Sequence, residues 1–297
     1  MTHNENTMGS ETGSSSAPAP EPRVWRCGRF ELALDHPLVM GILNVTPDSF
    51  SDGGRFDDPA AAVAHAERLI AEGAAILDVG GESTRPGAEP VPAAAEIARV
   101  RPVVRRFARE GVPVSVDTRH AEVAAACVEA GASILNDVSG FRDRAMIQVA
   151  AGCDAGVIVM HMLGDPQTMQ EEPHYDDVVV EVGGYLMAQA TTLQAAGVAR
   201  ERIAIDPGIG FGKTLAHNLE LLQRLPELAA LGFPLVLGVS RKRFIGAITG
   251  AEEPLDRLGG SVAAALFSAS HGADVLRVHD VAITVQALAV AEALDQR

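Results

Sequence analysis

The chain of 297 residues carries a net charge of −15, and 47% of its residues are hydrophobic but only 4% aromatic. That balance supports one large core and excludes a nucleic-acid binder, since an acidic, aromatic-poor chain matches neither a phosphate backbone nor a stack of bases. Cys27, Cys127 and Cys153 are widely spaced with no Cys-x-x-Cys pair, which indicates neither a disulfide framework nor a zinc site.

No apolar run approaches the roughly 20 residues needed to span a bilayer, and the N-terminus lacks a basic segment followed by an apolar one. The sequence therefore predicts a cytoplasmic protein with no membrane partner. Residues 1–22 are rich in Ser, Glu, Gly, Pro and Asn and read as a disordered tail. Residues 23–297 read as a single domain, a length that α/β barrels commonly reach undivided.

The first strand is predicted over 39–44, ending on Asn44. After it a unit recurs: a helical stretch, a glycine, a β-branched apolar run, and a polar residue where the run stops. Gly73 leads to Asp78, Gly111 to Asp117, Gly131 to Asn136 and Asp137, and Gly152 to His161. Gly197 leads to Asp206, Gly232 to Ser240 and Gly272 to His279. Each glycine suits the position after a helix end, where the backbone turns left-handed. Between the strands the spacing is helical, as in Val63, Ala66, Leu69 and Ile70 after the Asp58-Pro59 start signal, or Val182, Leu186, Ala190 and Leu193. A later stretch shows Val262, Leu266 and Ala269 at the same spacing.

Continuous apolar strands alternating with helices imply a parallel sheet covered by helices. Eight strands predict the α/β fold known as the (β/α)8 TIM barrel, with an open doubly wound sheet as the alternative. In a barrel every strand delivers its terminal polar residue to one face. Any one of these could be a helix cap, but all of them together, with long loops after the first, second and fifth strands, point to a site.

The most informative stretch is Arg-Ile-Ala-Ile-Asp-Pro-Gly-Ile-Gly-Phe-Gly-Lys, residues 202–213. Asp206 ends a strand, and Pro207 with Gly208, Gly210 and Gly212 prevents the strand from continuing. A carboxylate held there can accept two parallel hydrogen bonds from a flat guanidine-like edge, while the glycines let a ring approach the backbone. Gly212-Lys213-Thr214 is not a phosphate loop, because Pro207 stands where that motif requires glycine.

These segments, taken in order, resemble dihydropteroate synthases. The resemblance rests on Met40 to Gly54, Asp78 to Ala88, Ser-Val-Asp-Thr at Ser115, Asn136-Asp137, Met-His-Met at Met160, residues 202–213, Ser-Arg-Lys at Ser240 and Arg-Val-His-Asp at Arg277. It implies a barrel enzyme that joins (7,8-dihydropterin-6-yl)methyl diphosphate to p-aminobenzoate with Mg²⁺, is blocked by sulfonamides, and forms homodimers.

Carried over residue by residue, the resemblance implies that Asp117, Asn136, Asp206 and Lys242 hold the pterin against Met160 and Phe211. Asp117 and Lys242 would be catalytic, with Asp117 placed to stabilise a cationic pterin. Asn44 would ligate Mg²⁺, and Thr84, Arg85, Arg277 and His279 would receive the diphosphate. Phe50, Thr84 and Pro86 would shape the aminobenzoate pocket, with Arg243 near its carboxylate, where some relatives carry Ser; Ile209 stands where others have Phe. The loops over 46–58 and 80–92 resemble the family's two mobile loops. His65, His120 and His217 are expected on the surface, and His161 in the mouth as a support or a contact. A pterin-dependent methyltransferase and a pterin-binding paralogue without condensing activity are the alternatives.

Overall fold

The computed structural model describes residues 23–46, 59–83, 91–164, 169 and 172–295. The tail over 1–22, Phe50, Thr84, Arg85 and Pro86 lie outside the described residues.

The chain begins with a hairpin, β1 (Val24–Cys27) and β2 (Phe30–Ala33), which pair antiparallel across a two-residue turn. The sequence reading did not anticipate it. Eight parallel strands follow: β3 (Leu38–Asn44), β4 (Ile76–Gly80), β5 (Val114–Asp117), β6 (Ile134–Asp137), β7 (Gly156–Met160), β8 (Ile203–Asp206), β9 (Val236–Leu237) and β10 (Val275–Val278). Their order is β8-β7-β6-β5-β4-β3-β10-β9, and a parallel bridge between Ile205 and Leu235 joins the two ends of the sheet. The predicted barrel is present. Strand β9 is shorter than the apolar run 235–240: its pairing stops after Leu237, and the chain turns at Ser240 and Arg241.

Around the barrel lie α1 (Pro59–Ala71), α2 (Ala93–Arg109), α3 (Ala121–Ala130), α4 (Arg144–Ala151), α5 (Val178–Ala195), α6 (Leu215–Gln223), α7 (Leu225–Ala229), α8 (Arg243–Thr249), α9 (Leu258–Ser270) and α10 (Val281–Asp295). Helix α1 starts at Pro59, as its start signal predicts. Six of the seven unit glycines have positive φ; Gly152 does not (φ −84°), since α4 ends there without a left-handed residue. In α9 the buried face is Ser261, Ala265 and Ser268, one step away from the expected Val262, Leu266 and Ala269. Small residues face the barrel there, and the larger ones are left half-buried.

Successive strand residues point to opposite faces, and the two faces have different partners. One set, including Leu43, Leu77, Val79, Val114, Val116, Leu135, Val157, Ile203 and Leu276, packs under the helices. The alternate set, Met40, Ile76, Ile134, Ile158, Ala204, Val236 and Val275, fills the barrel interior together with Trp25, Cys27 and Leu34 from the hairpin segment. The hairpin is therefore the barrel's floor. Trp25 is fully buried and donates its indole N–H to the carbonyl of Arg202 at 2.9 Å, so its one polar atom is satisfied.

Candidate active site

Two residues beyond the apolar interior layer, on the same inward face, the chemistry changes. Ile76 is followed by Asp78, Ser115 by Asp117, Ile134 by Asn136, Ala204 by Asp206 and Val275 by Arg277. Strand periodicity thus stacks a polar layer directly on the floor. It also resolves the Asn136-Asp137 pair. Asn136 faces inward, whereas the Asp137 carboxylate accepts from Ser139 N and Oγ and from Phe141 N, bracing the turn that follows.

Arg277 is the link between the carboxylates. Its Nε donates to Asp78 Oδ2 and its Nη2 to Asp117 Oδ2, both at 2.6 Å. Asn136 Nδ2 lies 3.3 and 3.4 Å from the Asp78 oxygens. Asp78 is fully buried and was not assigned a role by sequence; it holds both Arg277 and Asn136 in place. Arg277, expected at the diphosphate, is in this structure engaged by two acids.

One acceptor in this network is left over: Asp117 Oδ1 is buried and has no hydrogen-bond partner. Burial pushes the Asp117 carboxyl up to about 7, against the lowering effect of Arg277 and with help from the neighbouring Asp78. Asp206 is also raised by burial, although Gly208 N donates to its Oδ1 at 2.7 Å and Lys242 and Arg277 favour the anion. Gly208 is obligatory in this turn: its φ is +66°, and a Cβ would stand 1.9 Å from the carbonyl oxygen of His161.

Lys242 lies against the aromatic wall, its ammonium 4.1 Å from the centroid of Phe211. Dehydration lowers it to about 8, opposed by Asp206 and assisted by Arg277. Met160 packs with Val138, Met162, Met169 and Phe211 into a separate apolar cluster, so Met160 and Phe211 form one wall beside the charged residues. His279 is fixed by Ser240, whose Oγ lies 3.0 Å from its Nδ1 and accepts its backbone N–H at 3.2 Å. Asn44 ends β3 half-buried, and Arg243 is exposed in the first turn of α8.

His161 has a supporting place. Burial and the nearby Lys213 and Arg142 push its pKa down to about 3, so the ring is neutral and accepts from Lys213 Nζ at 2.9 Å. Lys213 also donates to the carbonyls of Gly208 and Phe211 at 3.0 and 2.9 Å, which ties the glycine-rich turn to β7. Sequence offered Lys213 only as the end of that turn. His65 and His217 are half-buried; His217 caps α6 with Thr214. His120 departs from expectation, standing at the N-cap of α3 beside two buried carboxylates.

The closed barrel, with acids, an amide and a lysine facing an apolar wall at the strands' C-terminal edge, defines a barrel enzyme for a flat, nitrogen-rich ring. The sequence pattern of the pterin binding enzymes matches residues 40–279, and the chain belongs to that family. It is 52% identical over 277 residues to the dihydropteroate synthase of Neisseria meningitidis serogroup B, covering 91% of this chain and 97% of that one. Among solved structures, Xanthomonas albilineans dihydropteroate synthase with 4-aminobenzoic acid superposes with a TM-score of 0.87 at 49% identity, covering 92% of this chain and 98% of that one. Burkholderia cenocepacia dihydropteroate synthase complexed with 7,8-dihydropteroate gives 0.85 at 48% identity, covering 93% and 97%.

Proposed function

We infer that the chain condenses (7,8-dihydropterin-6-yl)methyl diphosphate with p-aminobenzoate, giving 7,8-dihydropteroate and diphosphate. The observation that carries this is the unpaired, buried Asp117 Oδ1 beside Asn136, Asp206 and Lys242. A buried acceptor without a donor is expensive unless a ligand supplies the donor. A pterin does so with a ring N–H, while Asp206 accepts from its amino and ring N–H edge and Asn136 completes the set.

The bond from the methylene carbon to the bridging diphosphate oxygen breaks, and the electron pair leaves with diphosphate. The pterin carries the resulting positive charge, which anionic Asp117 stabilises in a dehydrated site. The amine nitrogen of p-aminobenzoate then bonds to the methylene carbon and loses a proton. Lys242 covers the pterin carbonyl side. Arg277 and His279, with Thr84 and Arg85, receive the diphosphate; Phe50, Thr84, Pro86 and Arg243 take the aminobenzoate.

Asn44 fits Mg²⁺ only as an auxiliary ligand, since it offers one neutral amide oxygen and this ion keeps waters and substrate phosphates as its main ligands. When bound, Mg²⁺ would neutralise charge developing on the leaving diphosphate.

Incubating the purified protein with the pterin diphosphate, p-aminobenzoate and Mg²⁺ should yield dihydropteroate. Pterin binding without product would mark a non-condensing paralogue, and methyl transfer instead would mark the methyltransferase. We also place the protein in the cytoplasm as a homodimer. No helix of the described residues is long and apolar enough to cross a membrane, and α9 and α10 leave Phe267, Ile283, Val290 and Leu294 exposed on neighbouring helices. Light scattering that gives the monomer mass at micromolar concentration would refute the dimer.

A further inference from the structure

At the edge of the mouth, just past the C-terminal ends of β4 and β5, three ligand-type side chains converge. Glu82 follows β4, Glu96 lies in the first turn of α2, and His120 precedes α3. His120 Nε2 lies 3.5 Å from Glu82 Oε2 and 4.0 Å from Glu96 Oε2, and one ligand atom from each residue falls within 4.8 Å of the others. Among the described residues this is the group of His and carboxylate side chains with metal-ligand spacing. We propose that Glu82, Glu96 and His120 form a second site, for a divalent transition-metal ion of the zinc class.

Glu96 is the reason to expect a ligand. Its side chain is fully buried, and neither oxygen accepts a hydrogen bond of normal geometry; His120 Nε2 makes only the two loose ion-pair contacts and no hydrogen bond. Burial raises the Glu96 carboxyl, while Thr118 and His120 favour its anion without satisfying it. Gly81 makes the close approach possible, because a Cβ there would stand 2.8 Å from Glu96 Cγ.

Glu82 is already held by Arg119 through Nε and Nη2 at 3.1 and 3.0 Å, and by Val91 N at 3.1 Å. A carboxylate offers about four lone-pair directions, so one remains for a cation. The two acids share one guanidinium, and a dication supplies the charge that Glu96 lacks. Ligands at about 2.0–2.2 Å from a tetrahedral zinc stand roughly 3.3–3.6 Å apart; the His120–Glu82 separation of 3.5 Å already matches, the His120–Glu96 separation of 4.0 Å must close slightly, and all three atoms lie within 4.8 Å of one another. An imidazole nitrogen with two carboxylates selects a borderline metal rather than Mg²⁺, which sets this site apart from Asn44. The ion would clamp the residues that follow Asp78 and Asp117 to α2.

The test is to titrate Co²⁺ into the full chain in excess Mg²⁺ without substrate, following visible ligand-field absorption and heat, and then to add Zn²⁺. The site predicts tetrahedral or five-coordinate Co²⁺ bands that saturate at equimolar metal and are displaced by Zn²⁺, with a Zn²⁺-dependent rise in melting temperature. Glu96→Gln should weaken binding by at least about tenfold, Asn44→Ala should leave it intact, and His120→Ala should abolish bands and thermal shift alike. The His120 side chain is 32% exposed, so its removal leaves the fold intact even if Glu96→Gln does not. Absence of bands, or bands that survive His120→Ala, overturns the proposal and leaves a proton as the occupant of the cluster.

Discussion

The floor and the mouth of the barrel are built from the same strands, two residues apart, and obey opposite rules. At the floor, Met40, Ile76, Ile134 and Ile158 are sealed by Trp25 and Cys27, and the Trp25 indole finds its acceptor. At the mouth, Asp78, Asn136 and Asp206 are buried and Asp117 and Arg277 half-buried, and the set is incompletely matched, with one acceptor unpaired and the Asp117 carboxyl pushed up to about 7. Among the described residues Ser115 Oγ is the one floor atom left unpaired, and the rest of that layer is apolar or, like Trp25, satisfied. At the mouth the open group is a carboxylate oxygen, and stability is given up to hold a binding geometry ready.

That contrast predicts a separation between binding and stability. The largest effect should come from Asp206→Ala, which removes two charge-assisted hydrogen bonds of about 1.5–3 kcal/mol each and so weakens pterin binding by roughly 10²–10⁴-fold. Calorimetry should show this with no fall in melting temperature; retained affinity would place the ring elsewhere. Met40→Ala should do the reverse. Deleting a fully buried side chain from the floor costs about 2–5 kcal/mol of stability, yet the folded fraction should bind a pterin as before. A variant that lost affinity in proportion to stability would mean that floor and mouth are one unit.

A subtler effect concerns p-aminobenzoate. The loops over 46–58 and 80–92 are proposed to close only over bound diphosphate and Mg²⁺, so this substrate should bind appreciably only once both are present; equal affinity with and without them would show a preformed pocket. The smallest effect should follow deletion of residues 1–22, which have no apolar periodicity with which to dock. Unchanged melting temperature and turnover are expected, and a clear loss of either would assign that segment a place on the barrel.

Sequence made the eight strands and their polar ends legible, because each apolar run and its closing glycine are local signals. The hairpin escaped because its strands are four residues long, although Gly28-Arg29 between two alternating segments is a hairpin turn signal. Local pattern left Asn136 and Asp137 together at the strand end, since a single residue of register decides which faces inward; only the resemblance singled out Asn136. The link from Arg277 to Asp78 and Asp117 spans 199 and 160 residues, beyond any local pattern. The same limit hid His120, whose position before α3 reads as surface until α2 brings Glu96 against it.

In the proposed reaction Asp117 meets a pterin N–H while still partly protonated. Burial raises its folded-state pKa from 3.8 to about 7, so the folded protein holds a proton that the unfolded chain releases earlier. The stability this contributes is present below pH 3.8 and is lost as pH rises through about 7. A ligand that needs the anion must therefore expel that proton below pH 7. Calorimetric titration of a pterin ligand in buffers of different ionisation enthalpy should show proton release at pH 6 that fades by pH 8, with affinity rising across the interval, and Asp117→Asn should show neither. Equal proton release by wild type and variant, or pH-independent affinity in the wild type, would contradict the account.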